Sequence, residues 1–161
     1  MAAHKLIIVP ATKRHARELG RTMRLCDREE VKESGGLEPE KAVRASINRS
    51  VAPKALLTQD GELLCVFGVS TFKGSEWAVP WMLGTDAIDK HPVDFWKASK
   101  EVVESWHKVY PRLMNMVHHK SHTALAWLKR LGFRVEDPIV WGKSKGLFHP
   151  VSLVRVELIH V

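Results

Sequence analysis

His118, His119 and His122 stand together as HHxxH in the C-terminal third of the chain. Three imidazoles so close suggest either a zinc site or proton transfer near neutral pH, where histidine titrates. Zinc needs its ligands on one side of the backbone. Adjacent residues of a strand point to opposite faces, and no carboxylate or cysteine flanks the triplet, so the expectation is no metal and a role in proton transfer or substrate contact. The two thiols, Cys26 and Cys65, lie far apart and outside any CxxC spacing. They are expected to be reduced and to behave as small apolar residues, not nucleophiles.

The formal charge of +7 and pI near 9.6 favour an anionic partner: nucleic acid, an acidic protein or a phosphorylated cofactor. Lys13, Arg14, Arg17, Arg21 and Arg24 form the nearest thing to a basic cluster. They fall on the polar side of one predicted helix, which reads as a solvated face and not as a nucleic-acid footprint. The N-terminus has no apolar h-region and no stretch approaches the ~20 apolar residues that span a bilayer, so a soluble, non-secreted chain is expected.

These residues must be positioned by the elements around them. Lys5 to Val9 reads as a first strand ending at Pro10. Thr12 can cap a helix with Ala16, Leu19, Met23 and Cys26 inward, stopped by Gly35-Gly36, and Pro39 opens a second with Val43, Ile47 and Val51 on one side. From Ala55 the period becomes extended. Asp60-Gly61 predicts a hairpin with a type I′ turn, and Lys73-Gly74-Ser75 turns the chain into a third strand of the hairpin series, Glu76 to Leu83. Pro80 cannot donate to a ladder, so that strand should bulge or splay near its middle.

Beyond the loop GTDAIDKH, Pro92 opens a long helix carrying Phe95, Ser99, Val102, Trp106 and Val109, stopped before Pro111. A strand over Leu113 to Val117, a helix with Ala124, Leu125, Leu128 and Leu131 inward, a Gly132 stop and two strands, PIVWG and LFHPVSLVRVEL, complete the pattern. Of the six tryptophans, Trp77 and Trp81 should share a sheet face and Trp96 and Trp106 lie on the long helix, as core or interface anchors. The order β-α-α-β-β-β-α-β-α-β-β predicts one α+β domain over residues 1–161. Its mixed, mainly antiparallel sheet has about seven strands, with helices on both faces.

Trp127 to Phe133, WLKRLGF, resembles the last-helix signature of the GNAT superfamily of acetyl-CoA-dependent N-acetyltransferases. With WMLGTDAIDKHP (Trp81 to Pro92) and RLMNMV before the helix, the chain is similar more narrowly to GNAT-like proteins of tailed bacteriophages, including the internal virion protein family of short-tailed phages. The resemblance implies a GNAT fold with acetyl-CoA in a cleft between the fourth and fifth strands and an unidentified amine as acceptor. Met82, Leu83 and Gly84 would contact the cofactor through their backbone, with Lys90 and His91 at the helix entrance. Glu76, which by its place after a Gly-Ser turn reads as a solvated hairpin edge, would in the resemblance act as base through a water. Ser121 falls where the superfamily often places Asn, and Trp127 where it often places a Tyr used as acid; an indole N–H has no useful acidity near neutral pH. The phosphate loop keeps a single glycine, Gly84, and carries Asp86 and Asp89. The resemblance therefore allows two functions: an acetyltransferase in the host cytoplasm, or a non-catalytic virion-associated or assembly protein that keeps the fold and contacts other virion proteins.

Overall fold

The structure, a computed structural model, describes residues 6–155. The predicted first strand's Lys5 and the closing VEL of the last strand lie outside the described residues. Within them the order is β1 (Ile7–Pro10), α1 (Lys13–Thr22), α2 (Leu25–Gly35), α3 (Pro39–Arg49), β2 (Ser50–Leu57), β3 (Leu63–Thr71), β4 (Trp77–Gly84), a 3-10 helix (Asp86–Lys90), α4 (Pro92–Val109), β5 (Arg112–His118), α5 (His122–Arg130), β6 (Arg134–Val135), β7 (Ile139–Trp141) and β8 (Gly146–Val154).

The sheet runs β1-β2-β3-β4-β5-β8-β6, with β7 also paired to β8, and every pairing is antiparallel except β4 with β5. This is the expected α+β architecture with one more strand than predicted, because Arg134 and Val135 pair with β8. One face packs Val66 and Leu83 against Leu19, Met23 and Val43 of the first helices. The other packs Phe67, Val117 and Val151 under α4 and α5, whose Phe95, Val103 and Leu125 point inward. β3 is buried along all but its last residue because helices cover it on both sides, which is why LLCVFGVS does not alternate.

Two local expectations change, and a third, at Pro80, is met as a splay and not a bulge. The helix predicted from Thr12 to Gly35 is two helices, broken at Met23 and Arg24. There the backbone leaves helical geometry, Met23 bridges Thr85, and Arg24 N–H donates to the Gly84 carbonyl (2.9 Å). Arg28 then covers the freed end of α1, donating to the Met23 and Gly20 carbonyls (2.8 and 3.0 Å). The Asp60-Gly61 hairpin forms, but only Gly61 takes positive φ, and Gly61 N–H closes on the Thr58 carbonyl. The turn is therefore not type I′; it matches the longer loop in which a glycine in the left-handed region follows an ordinary turn. Pro80 makes no bulge against β3, since the β3–β4 register runs through it unbroken. It splays the strand on the other side.

Candidate active site

β4 and β5 run parallel but pair only at Trp77–Arg112 and Ala78–Leu113. The cause lies at the next positions. Along a strand, the backbone groups of alternate residues point to opposite edges. Pro80 presents its nitrogen and carbonyl to the β5 side, and the nitrogen carries no hydrogen, so the ladder has no donor there. Asn115 fills the gap from β5. Its Nδ2 donates to the Pro80 carbonyl (2.7 Å), and its Oδ1 accepts from the Met116 N–H (2.7 Å). One proline and one asparagine thus hold two strands apart, and a cleft opens toward the C-terminal ends of β4 and β5.

The same alternation decides which backbone groups the cleft offers. Gly84 N–H is taken by Asp27 Oδ2 (2.7 Å), and Leu83 pairs toward β3. Met82 faces the β5 edge beyond the last pair, so its N–H and carbonyl stand along the cleft without a ladder partner.

The cleft leads to two spaces. Outside, a groove of about 340 Å³ runs between the start of α4 and α5, bounded by Ile88, Asp89, Trp96, Thr123 and Arg130. Inside, a cavity of about 120 Å³ lies between the sheet and α4, α5 and β8. Arg24, Met82, Phe95, Ala124 and Trp127 line both and mark their junction. The Trp127 indole stacks on Phe95 (centroids 5.5 Å apart), and its buried Nε1 has no hydrogen-bond partner. At the groove, the Arg130 guanidinium lies over the Trp96 ring, 4.3 Å from its centroid.

One wall of the cavity is charged. The break between α1 and α2 turns Arg24 inward, where its Nε donates to Asp27 Oδ2 (2.7 Å), and Asp27 is only 3% exposed. Glu30, one turn further along α2, lines the same wall. Burial, with the Asp27 carboxylate adding to it and Arg24 partly offsetting, pushes the Glu30 carboxyl up to about 8. Cys65, also on the cavity, is fully buried, and its thiol is pushed up to about 12 chiefly by burial, so it remains neutral and poorly nucleophilic.

The residues singled out from sequence are distributed as follows. Met82 lies at the junction. Leu83 is buried in the core under the first helices, and Gly84 is tied to Asp27 and Arg24. Lys90 is 69% exposed and reaches Glu62 at 3.6 Å. His91 precedes α4, its N–H bonded to Ile88. Glu76 sits at the closed end of the β4–β5 pair, 78% exposed and 3.6 Å from Arg112; it lines neither space. Ser121 is buried before α5 with its hydroxyl unpartnered, also outside both linings.

His118 is 1% exposed. Its Nδ1 accepts from the Lys120 N–H, which leaves the proton on Nε2, donated to Glu33 Oε2 at 2.6 Å. Because β5 ends at His118, His119 does not take the opposite face as expected: its ring lies 4.7 Å from that of His118 and its Nδ1 faces the Leu147 carbonyl, while His122 is exposed, so two of the three imidazoles come together and not all three. The phosphate loop is the short 3-10 helix: the N–H groups of Thr85, Ala87, Ile88 and His91 are all bonded within the protein. Sequence reading missed Asp27 and Glu30 and assigned Arg24 to a solvated face. The available signal was the i, i+3, i+6 spacing of Arg24, Asp27 and Glu30, which puts them close together only if a helix begins there.

No family model matches the chain, and no curated protein sequence does. Solved structures do. The chain is similar to a GNAT-family acetyltransferase from Bacillus anthracis, with a TM-score of 0.67, 10% identity, and coverage of 96% of this chain and 97% of that one. It is similar to the spermidine N-acetyltransferase of Vibrio cholerae in complex with CoA and spermine (TM-score 0.66, 8% identity, 93% and 95% covered). It is also similar to the ribosomal-protein-S18-alanine N-acetyltransferase of Escherichia coli (TM-score 0.65, 12% identity, 97% and 98% covered). At these identities the likeness is one of fold: the chain has the GNAT fold over nearly its whole length.

Proposed function

We propose that this protein is a GNAT-fold acyltransferase that takes an acyl group from a CoA thioester in the β4–β5 cleft and passes it to an amine. The observation that carries the reading is the splay at Pro80. It exposes the Met82 backbone beside a groove of about 340 Å³, and behind it stands a wall with a carboxyl group. A CoA thioester bound there would supply an activated acyl carbon. The chain's own residues do the rest. Met82 N–H and C=O orient the arm as a further strand would, and Arg130 and the first turn of α4 face its phosphates from the groove. Glu30, once ionised, accepts the proton of the incoming amine at its carboxylate, from the opposite side of the cleft; as the C–N bond forms the C–S bond breaks, and the thiolate leaves through the groove to take its proton from water. Trp127 offers a hydrogen bond at the junction and not a proton.

Glu30 takes the place that Glu76 held in the sequence reading, because Glu30 borders the cleft and Glu76 does not. Calorimetric titration with acetyl-CoA tests the site: no heat and no thermal shift at millimolar ligand removes the reading. Glu30→Gln should lower kcat by about 10²- to 10⁴-fold, the range for a general base, with little change in CoA affinity. Activity of the native chain should rise with pH up to about 8. The narrower reading, a phage-encoded enzyme of the host cytoplasm, is supported by the resemblance of Trp81–Pro92 and WLKRLGF alone.

A second reading is a protein that keeps the fold without chemistry: the phosphate loop supports the loss of chemistry, and the resemblance alone supports its association with a virion. The loop's N–H groups are largely used internally, and Asp86 and Asp89 add negative charge where a pyrophosphate would approach. Fixed stoichiometry in purified particles together with silence toward CoA would establish this reading instead.

A further inference from the structure

The inner cavity is larger than an acetyl group needs, and its far wall is of one kind. Phe67, Val102, Trp106, Val117, Phe133 and Val151 form it, contributed by β3, α4, β5, the turn after α5, and β8. The polar side chains near them are already engaged: Ser99 Oγ donates to the Phe95 carbonyl, and both ends of the Asn115 amide are bonded. Charge is confined to the opposite wall, at Arg24, Asp27 and Glu30. Away from that wall and from the Trp127 indole N–H at the junction, the lining is apolar, and such a surface holds hydrocarbon better than water. For scale, an apolar cavity of about 150 Å³ holds benzene, so 120 Å³ corresponds to about five carbon atoms.

Among the described residues the inner cavity meets the outer groove at the junction of Arg24, Met82, Phe95, Ala124 and Trp127, which is where the acyl carbon lies if the groove holds the cofactor arm. An acetyl group would place one methyl beyond that point and leave most of the cavity empty. We infer that the inner cavity is an acyl-chain pocket, and that the donor is the CoA thioester of a short fatty acid of about four to six carbons. The inference rests on the acyl-transfer reading above. Chain and acceptor occupy opposite walls, the hydrocarbon under α4 and the amine beside α2, so lengthening the acyl group does not obstruct the nucleophile.

The test is calorimetric titration of the full chain with CoA, acetyl-CoA, hexanoyl-CoA and dodecanoyl-CoA. Burying a methylene is worth about a fourfold gain in affinity, so hexanoyl-CoA should bind at least about tenfold more tightly than acetyl-CoA after the cost of ordering the chain. Dodecanoyl-CoA, too long for the cavity, should bind more weakly than hexanoyl-CoA. Val102→Phe, which fills the space from α4, should bring hexanoyl-CoA down to the affinity of acetyl-CoA. Val102→Leu, a smaller change, should narrow the same difference even if the Phe variant does not fold. Binding of CoA with acetyl and hexanoyl thioesters within twofold of each other overturns the acyl-chain pocket and leaves acyl transfer standing. Failure of every thioester and of CoA itself overturns both.

Discussion

Replacing Asn115 by Ala tests the account of how the cleft is built. The side chain makes two bonds of 2.7 Å, one to the Pro80 carbonyl and one from the Met116 N–H, and both partners sit where the β4–β5 ladder has ended. Each bond contributes about 1 kcal/mol net, and each partner left unsatisfied in a half-buried place adds a further cost of up to the same size or more. Water entering from the cleft recovers part of that cost. The loss should therefore be about 2 to 4 kcal/mol. In a domain of this size, 1 kcal/mol moves Tm by about 2 to 4 °C, which predicts a fall of roughly 4 to 16 °C. Urea unfolding read by far-UV circular dichroism should give the same free energy with an unchanged m-value. Asn115→Asp separates the two bonds. It keeps an acceptor for Met116 N–H but turns a carboxylate oxygen toward the Pro80 carbonyl, so at neutral pH it should be at least as damaging as Ala. Acidification, which restores a donor, should recover part of the loss. If Asn115→Ala costs less than about 0.5 kcal/mol, the wedge is held by something other than this amide and the derivation fails.

Stability should carry the signature of Glu30. Its carboxyl is raised from 4.5 to about 8, so the folded state binds the extra proton; stability is fully present below the unfolded value, declines as pH rises through about 8, and is level above it. Glu30→Gln should flatten that decline and leave the variant more stable than the native chain at pH 9, as thermal melts across pH will show. Gly20→Ala should destabilise by about 1 to 3 kcal/mol. Alanine gains up to about 1 kcal/mol in a helix, but a Cβ there would lie 2.8 Å from Glu40 Cβ and 3.1 Å from its backbone, so overpacking against α3 outweighs propensity. Asp27→Ala should cost more than Asp27→Asn in chemical denaturation, because Ala leaves Gly84 N–H and the Arg24 guanidinium without their shared acceptor, whereas Asn can still accept one bond.

Much of this protein can be read from local chemistry. Pro39, Pro92 and Gly132 mark helix limits because their backbone constraints act within one or two residues, and α3, α4 and α5 begin or end there. The inward stripe Ala124, Leu125, Leu128 and Leu131 needs only helical periodicity, and the four pack on one core, Leu125 buried and the others half-buried. Pro80 announced a disturbed strand by its missing hydrogen. What the sequence could not decide was which edge of β4 the missing hydrogen faces, since that depends on the register with β3, in which Pro80 itself pairs with Val69. Nor could it show that a helix would break at Met23 and Arg24, where helical patterning runs on smoothly. The break is paid for by Gly84 and Thr85, some sixty residues later, which offer that backbone a strand-like partner. That contact turns Arg24 inward from the basic face it shares in sequence with Lys13, Arg14, Arg17 and Arg21, and sets Asp27 and Glu30 on the cleft. The elements and their apolar faces follow from short-range preference; the charged wall of the site exists only because two distant segments meet.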